Sequence, residues 1–354
     1  MIWLTWRQAR AQTAMMGAAL AVLGVIMALT GPGLAEDYSS GIADCTRSGD
    51  CSDFIDRYSQ DNEGLALAVT AVVLVVPALI GLFWGAPLIA RELEAGTHRL
   101  VWNQSITRTR WLAVKLGLIG LAAITAAGLL SFAVEWWSDP LDNAVAANGS
   151  RSRMEPLLFS TRGIVPIAYA AFAFALGVTV GMLVRRTVAA MAITLAVFVA
   201  VQIAMPELVR PHLSAPVHSN LEVTPSNLWG LGFERGNRVR LAVDDSVKGA
   251  WVLSSGPIDS SGRAVEVIGP HPSLSPYSGP CAPRQSGQAQ PSAGPGKELA
   301  PCVAEIRRLG YRYEVTYHPA GRFWPFQWYE TGIYTALAIG LAGFCFWWLR
   351  HRLV

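Results

Sequence analysis

Gly64-Leu-Ala-Leu-Ala-Val-Thr-Ala-Val-Val-Leu-Val-Val-Pro-Ala-Leu-Ile-Gly-Leu-Phe-Trp-Gly-Ala-Pro-Leu-Ile-Ala90 runs for 27 residues without an Asp, Glu, Lys or Arg. A helix needs about 20 apolar residues to cross the roughly 30 Å hydrocarbon core of a bilayer. A charge at the centre of that core costs roughly 2.5–3.5 kcal/mol on insertion scales. Inside it, only helices and closed barrels satisfy every backbone N–H and C=O. A barrel strand would alternate over about 10 residues. This stretch is continuously apolar, so it predicts a spanning helix.

Five further charge-free runs read the same way: residues 11–35, 116–134, 163–184, 187–206 and 331–349, with 25, 19, 22, 20 and 19 residues. The expected fold is an all-α polytopic membrane protein with six transmembrane helices. Composition agrees: 52% of the 354 residues are hydrophobic and only 15% charged, against about 25% charged in soluble domains. The net charge of +3 is small and no basic block occurs, which argues against a nucleic-acid partner. The first run is long for a cleaved signal and is expected to be retained.

The charges are sorted by side. If the helices alternate, Arg7, Arg10, Arg91, Arg99, Arg108, Arg110, Lys115, Arg185, Arg186, Arg350 and Arg352 share one side, and the opposite short loops hold Arg47, Arg57, Arg151 and Arg153. The positive-inside rule then places both termini in the cytoplasm. Residues 36–63 form the first outer loop, with eight acids against two arginines. Trp3, Trp6, Trp136, Trp137, Trp324, Trp328, Trp347 and Trp348 fall at helix ends, where interfacial aromatics belong.

Domain boundaries follow. Residues 1–206 hold helices one to five, with a cytoplasmic loop at 91–115. Residues 207–326 form an extracellular segment, and residues 327–354 the sixth helix and tail. Within the segment, the alternation of Tyr311, Tyr313, Val315 and Tyr317 with polar residues predicts a half-buried strand. Residues 238–243 and 264–268 are weaker strands. Residues 269–301 are rich in Pro, Gly, Ser and Gln and read as a flexible loop. The insertion is therefore expected to be small and β-rich. Four of the five cysteines lie on the outer side, where disulfides persist. Of three possible connectivities, the local one, Cys45–Cys51 with Cys281–Cys302, is preferred.

The loop at 91–115 begins Arg91-Glu-Leu-Glu-Ala-Gly-Thr-His-Arg-Leu100. It reads as a short helix, a break at Gly96, and a new start near Ser105 or Thr107, residues able to cap the next helix. Leu93, Leu100 and Val101 offer an apolar side, and Glu92, Glu94 and Arg99 a charged one. A connector made basic by topology alone would not need the two glutamates or the Gly-Thr break.

The pattern Arg-Glu-x-Glu-x-Gly-Thr, followed by Ser105-Ile-Thr-Arg108 and Lys115, resembles ABC-2 type permeases, the membrane subunits of type V exporters. The opening Trp3-Leu-Thr-Trp-Arg-Gln-Ala-Arg10 and the closing Phe346-Trp-Trp-Leu-Arg350 are similar to actinobacterial members. The resemblance implies a bacterial cell membrane location and an interfacial elbow helix at 3–10. It also implies a coupling helix that docks on a separate ATPase. Glu92, Gly96 and Thr97 match that stretch, Arg108 and Lys115 its basic trailing residues, and Glu94, Arg99 and Asn103 lie in the same docking region. Two ATPase subunits carrying ATP and magnesium, and a second permease, identical or related, are the implied partners. The family's outer loop is compact whereas this chain has about 120 residues there, so no outer-gate feature is carried over.

No Gly-x-x-x-x-Gly-Lys-Ser/Thr, Gly-x-Ser-x-Gly or His-Glu-x-x-His string occurs. The chain is thus expected to be a non-enzyme with no cofactor of its own. No acid or base lies mid-helix; Glu135, Glu207 and Glu330 are expected at outer helix ends, close to water. That disfavours a proton-coupled transporter and suits a path for hydrophobic or amphipathic cargo. Gly81 and Gly85, and Gly177 and Gly181, recur at four-residue spacing and let helices approach closely, either within the chain or at a dimer seam. Pro77 is expected to kink the second helix. The alternative function is a membrane sensor or scaffold whose outer segment binds a ligand without transport.

Overall fold

The computed structural model describes residues 2–96, 107–148, 152–234, 238–269, 271–275, 277, 279–282 and 299–352. Among the described residues six helices are long and apolar enough to cross a membrane: Thr13–Arg47, Ser52–Glu94, Arg108–Ala147, Val165–Val184, Thr187–His212 and Ala320–His351. They are the first to sixth spans. The chain divides into two compact units, residues 1–213 with 321–354, and residues 214–320.

The first three spans outrun the hydrocarbon core. At 1.5 Å per residue the 43 residues of the second reach about 65 Å. Residues 36–63, expected as a loop, are helix on both sides of a turn at 49–51. A helix satisfies its own backbone, so acidic residues on its water-facing turns need no loop to carry them. The Cys45–Cys51 disulfide closes the hairpin, and the Tyr58 hydroxyl donates to the Leu34 carbonyl at 2.9 Å. The Asp50 carboxylate accepts the Ser52 amide at 2.9 Å where the second helix starts, and that bond pulls the Asp50 carboxyl below its usual range. Residues 3–10, expected as a separate elbow, continue the first helix, Ile2–Ser48, without a break.

The fourth span is the axis, packed on the second, third, fifth and sixth. Sixteen of its residues, including both glycines, are buried. The second span widens into a π-turn at Ile80–Gly85, just past Pro77, where the missing N–H already loosens the ladder. There the two glycine pairs meet. A Cβ on Gly81 would stand 2.7 Å from the Ala173 carbonyl oxygen, and one on Gly85 2.6 Å from that of Phe174. Cβ atoms on Gly177 and Gly181 would collide with the carbonyls of Gly81 and Ala86. The seam is therefore intramolecular. Lipid tails are as apolar as side chains, so close backbone approach and dispersion hold such helices together. Trp136, Trp324, Trp328 and Trp347 face outward, whereas Trp137 is buried and donates to the Thr30 hydroxyl at 2.9 Å.

Among the described residues the unit at 214–320 holds five strands: β1 Val217–Leu221, β2 Leu228–Glu234, β3 Arg238–Val243, β4 Trp251–Ile258 and β5 Arg312–His318. One antiparallel sheet has the order β1-β5-β4, and β2 pairs with β3. Tyr313 and Val315 of β5 enter a core with Leu228, Val239, Leu241, Val303 and Ile306. The weaker strand expected at 264–268 is reduced to two bridges, Val239 with Ile268 and Ile258 with Ala264. The end of the expected flexible loop carries order: a helix, Ala300–Arg308, is tied by the Cys281–Cys302 disulfide. Residues 207–213 and 321–326, expected in this segment, belong with the helices instead.

Candidate functional site

At the 91–115 end, the last turn of the second span presents Glu92 to Lys115, about two helical turns into the third. The Glu92 Oε1–Lys115 Nζ distance is 2.5 Å, and the side chains are only 14% and 5% exposed. Lys115 also donates to the Leu88 carbonyl at 3.4 Å and lies 4.9 Å from the Trp111 ring centroid. A buried pair of this kind is costly to break, roughly 3–5 kcal/mol when one partner is removed, because the other charge is stranded.

Glu94 goes elsewhere. It accepts the Thr187 backbone N–H at 2.9 Å and its hydroxyl at 2.7 Å, capping the fifth span from outside. A carboxylate at a helix N-terminus satisfies orphan donors and meets the positive end of the dipole. Arg185, at φ 58°, turns the chain between fourth and fifth spans and bonds its amide to the Gly181 carbonyl. Gly96, at φ +70°, ends the second span in a backbone conformation that glycine adopts without strain. Arg108 opens the third span, and the Thr107 hydroxyl accepts the Arg110 amide at 3.4 Å. Thr97, Arg99 and Asn103 lie outside the described residues. Both glutamates thus anchor the loop to neighbouring spans. Thr187 escaped the sequence reading, although a threonine directly after Arg185-Arg186 at the start of an apolar run is a capping signal.

The opposite end of the bundle corrects the expectation for Glu330, which is buried, whereas Glu207 is exposed as expected and Glu135 partly so. Arg210 and Glu330 are both 0% exposed and pair at 2.8 Å. Arg210 also donates to Glu330 Oε1 and to the Ser160 hydroxyl, each at 3.0 Å, and its guanidinium stacks 4.2 Å from the Phe159 ring centroid. The Tyr169 hydroxyl donates to Glu330. Gln327 accepts the amides of Ile164 and Val165 at 3.0 Å and donates to the carbonyls of Phe159 and Arg162 at 3.1 Å. Arg162 pairs with Asp142 at 3.0 Å, and Arg153 with Glu135. The third to sixth spans are therefore knotted together by ion pairs and hydrogen bonds. Helix extension is the cause: the sixth helix begins at Phe323 and the fifth continues to His212, so residues outside the charge-free runs are still inside the bundle.

The Cys45–Cys51 and Cys281–Cys302 pairs are bonded, and Cys345 is buried and unbridged. Among the described residues no group of three or more His, Cys, Asp or Glu could hold a metal.

Six apolar spans, the fourth of them buried among the others, define a multi-pass membrane protein. Residues 17–210 match the family model described as ABC-2 membrane transporter related, and the chain belongs to that family. The match runs from the first span to Arg210 and stops before the β-rich unit. Comparison with curated proteins and with solved structures gives no match.

Proposed function

We propose that the chain is the permease subunit of an ATP-driven exporter in a bacterial cell membrane, with both termini cytoplasmic. The observation that carries this reading is the double anchoring of the 91–115 loop. Glu92 ties its start to the third span and Glu94 ties it to the fifth. A soluble ATPase pressing on residues 97–106 would move three spans together. Orientation is supported by the basic residues at this end and by the disulfide hairpin at the other, in an oxidising compartment. Two ATPase subunits, and a second permease completing the path, fit the family. Because the Arg210–Glu330 knot joins the fourth, fifth and sixth spans away from the loop, its opening would accompany release of an amphipathic or hydrophobic cargo.

Affinity purification in mild detergent from the native membrane tests the reading. A P-loop ATPase near one-to-one stoichiometry, lost in Asn103→Arg while the bundle stays folded, is expected. Recovery of the folded chain without an ATPase overturns it. A second reading, a sensor or scaffold, draws on the separate core and disulfide of residues 214–320. Movement of cargo across vesicles carrying the complex would exclude it.

A further inference from the structure

An apolar groove of about 520 Å³ lies between the third, fourth and sixth spans, and among the described residues that line it only Thr335 has a polar side chain. Exposed Leu121 and Ile339 form its lips. Small residues hollow it: a Cβ on Gly117 would meet nothing within 4 Å. Along the third span the lining runs from Ala113 to Ile124. At 1.5 Å per residue that is about 16 Å, close to one leaflet's half of the roughly 30 Å hydrocarbon core.

Shape alone selects nothing in a bilayer, since lipid tails are as apolar as the groove. Charge can. Arg110 stands three residues before Ala113 and seven before Gly117, which puts it on the same helix face. Arg350 follows Phe346 by four residues and Ala342 by eight, again on the groove's face. The third span starts and the sixth ends at this end, so both arginines stand where the groove reaches the membrane surface. Both are exposed, and neither makes an ion pair among the described residues. Lys115, the third cation there, is already committed to Glu92.

We propose that this groove binds an anionic phospholipid of the leaflet at the 91–115 end. One acyl chain lies between the third and sixth spans, and Arg110 and Arg350 hold the phosphate. The site stands apart from the transport reading, because lipid binding is measured without ATP, ATPase or cargo.

The test is native mass spectrometry of the full-length chain, delipidated in mild detergent and titrated with dioleoyl phosphatidylglycerol or dioleoyl phosphatidylcholine. The expected preference for phosphatidylglycerol is about 30-fold, the factor that two arginines beside an anionic headgroup supply. Arg110→Gln with Arg350→Gln should reduce it to less than about 3-fold and leave phosphatidylcholine binding unchanged. Gly117→Leu should weaken both lipids. Equal binding of the two lipids, a preference that survives the double glutamine variant, or a groove occupied by a second copy of the chain would each overturn the proposal. The glutamine variant alters only exposed side chains, so it decides the question even if Gly117→Leu fails to fold.

Discussion

Glu92 and Lys115 form a buried ion pair at 2.5 Å that joins the second and third spans across the loop between them. Glu92 is therefore a bundle residue as well as a loop residue. Glu92→Lys or Lys115→Glu alone should each cost roughly 3–5 kcal/mol, because each leaves two like charges buried together. The double exchange should recover most of that loss. Thermal unfolding in nanodiscs measures all three. Single variants as stable as the parent would show that the pair is not formed.

Glu94 caps the fifth span through Thr187. Glu94→Ala and Thr187→Ala should each lower the unfolding midpoint, as lost caps do. Because Thr187→Ala removes only the hydroxyl bond, which Glu94→Ala removes as well, the double variant should lose less than the sum. A double-variant cycle on the unfolding midpoint reads this directly. Additive losses would mean that the residues act separately.

For Arg210 and Glu330 the expectation is asymmetric. Arg210→Met or Glu330→Gln strands a partner in the buried core and should destabilise by roughly 3–5 kcal/mol. Arg210→Met with Glu330→Leu removes both charges and should come much closer to the parent in stability. If the knot also gates, the stable double variant will carry altered basal ATPase activity in the assembled complex. A double variant less stable than either single one contradicts the burial argument.

The glycine seam makes a contrast within one side-chain type. Gly177→Ala sets a methyl against the backbone of the second span and should cost about 1–3 kcal/mol or more. Gly340→Ala, with nothing within 4 Å of the new atom, should be neutral or slightly stabilising. Unfolding midpoints that fall equally for both would remove the seam from the account.

In the β-rich unit, Arg308 and then Ser273 donate to Glu305 and hold its carboxyl down to about 2. A carboxylate whose folded value lies below the unfolded value of about 4.3 stabilises the fold above that value. The contribution is lost as pH falls from about 4.3 towards 2. Amide exchange at Val303 and Ile306, corrected for intrinsic rates, should therefore accelerate in this window in the parent. In Glu305→Gln the acceleration should shrink. An identical pH profile in both would exclude this carboxylate as the cause.

Much of the scaffold was legible because the bilayer tolerates so few charges. Each of the six charge-free runs falls on one span, with only Gly163 and Ile164 lying ahead of their helix, and Tyr313 with Val315 shows its period-two burial in β5. The cysteine pairing was legible from local spacing. Helix ends were not: residues 36–63 carry many charges, yet a helix satisfies its own backbone in water as well as in lipid, so charge marked the membrane edge and not the helix edge. For the loop, the sequence singled out Glu92, Glu94, Gly96 and Lys115 but not what they touch.

By itself, then, the sequence determined a six-span membrane protein with a β-rich insertion, because hydropathy over some twenty residues is a local property that lipid enforces. Only the tertiary structure decided which polar groups meet. Glu330 finds Arg210 from 120 positions away, Glu94 finds Thr187 from 93, and Gly81 lies against Gly177. Such partnerships depend on helix rotation and depth, which packing against the fourth span sets and no local pattern encodes.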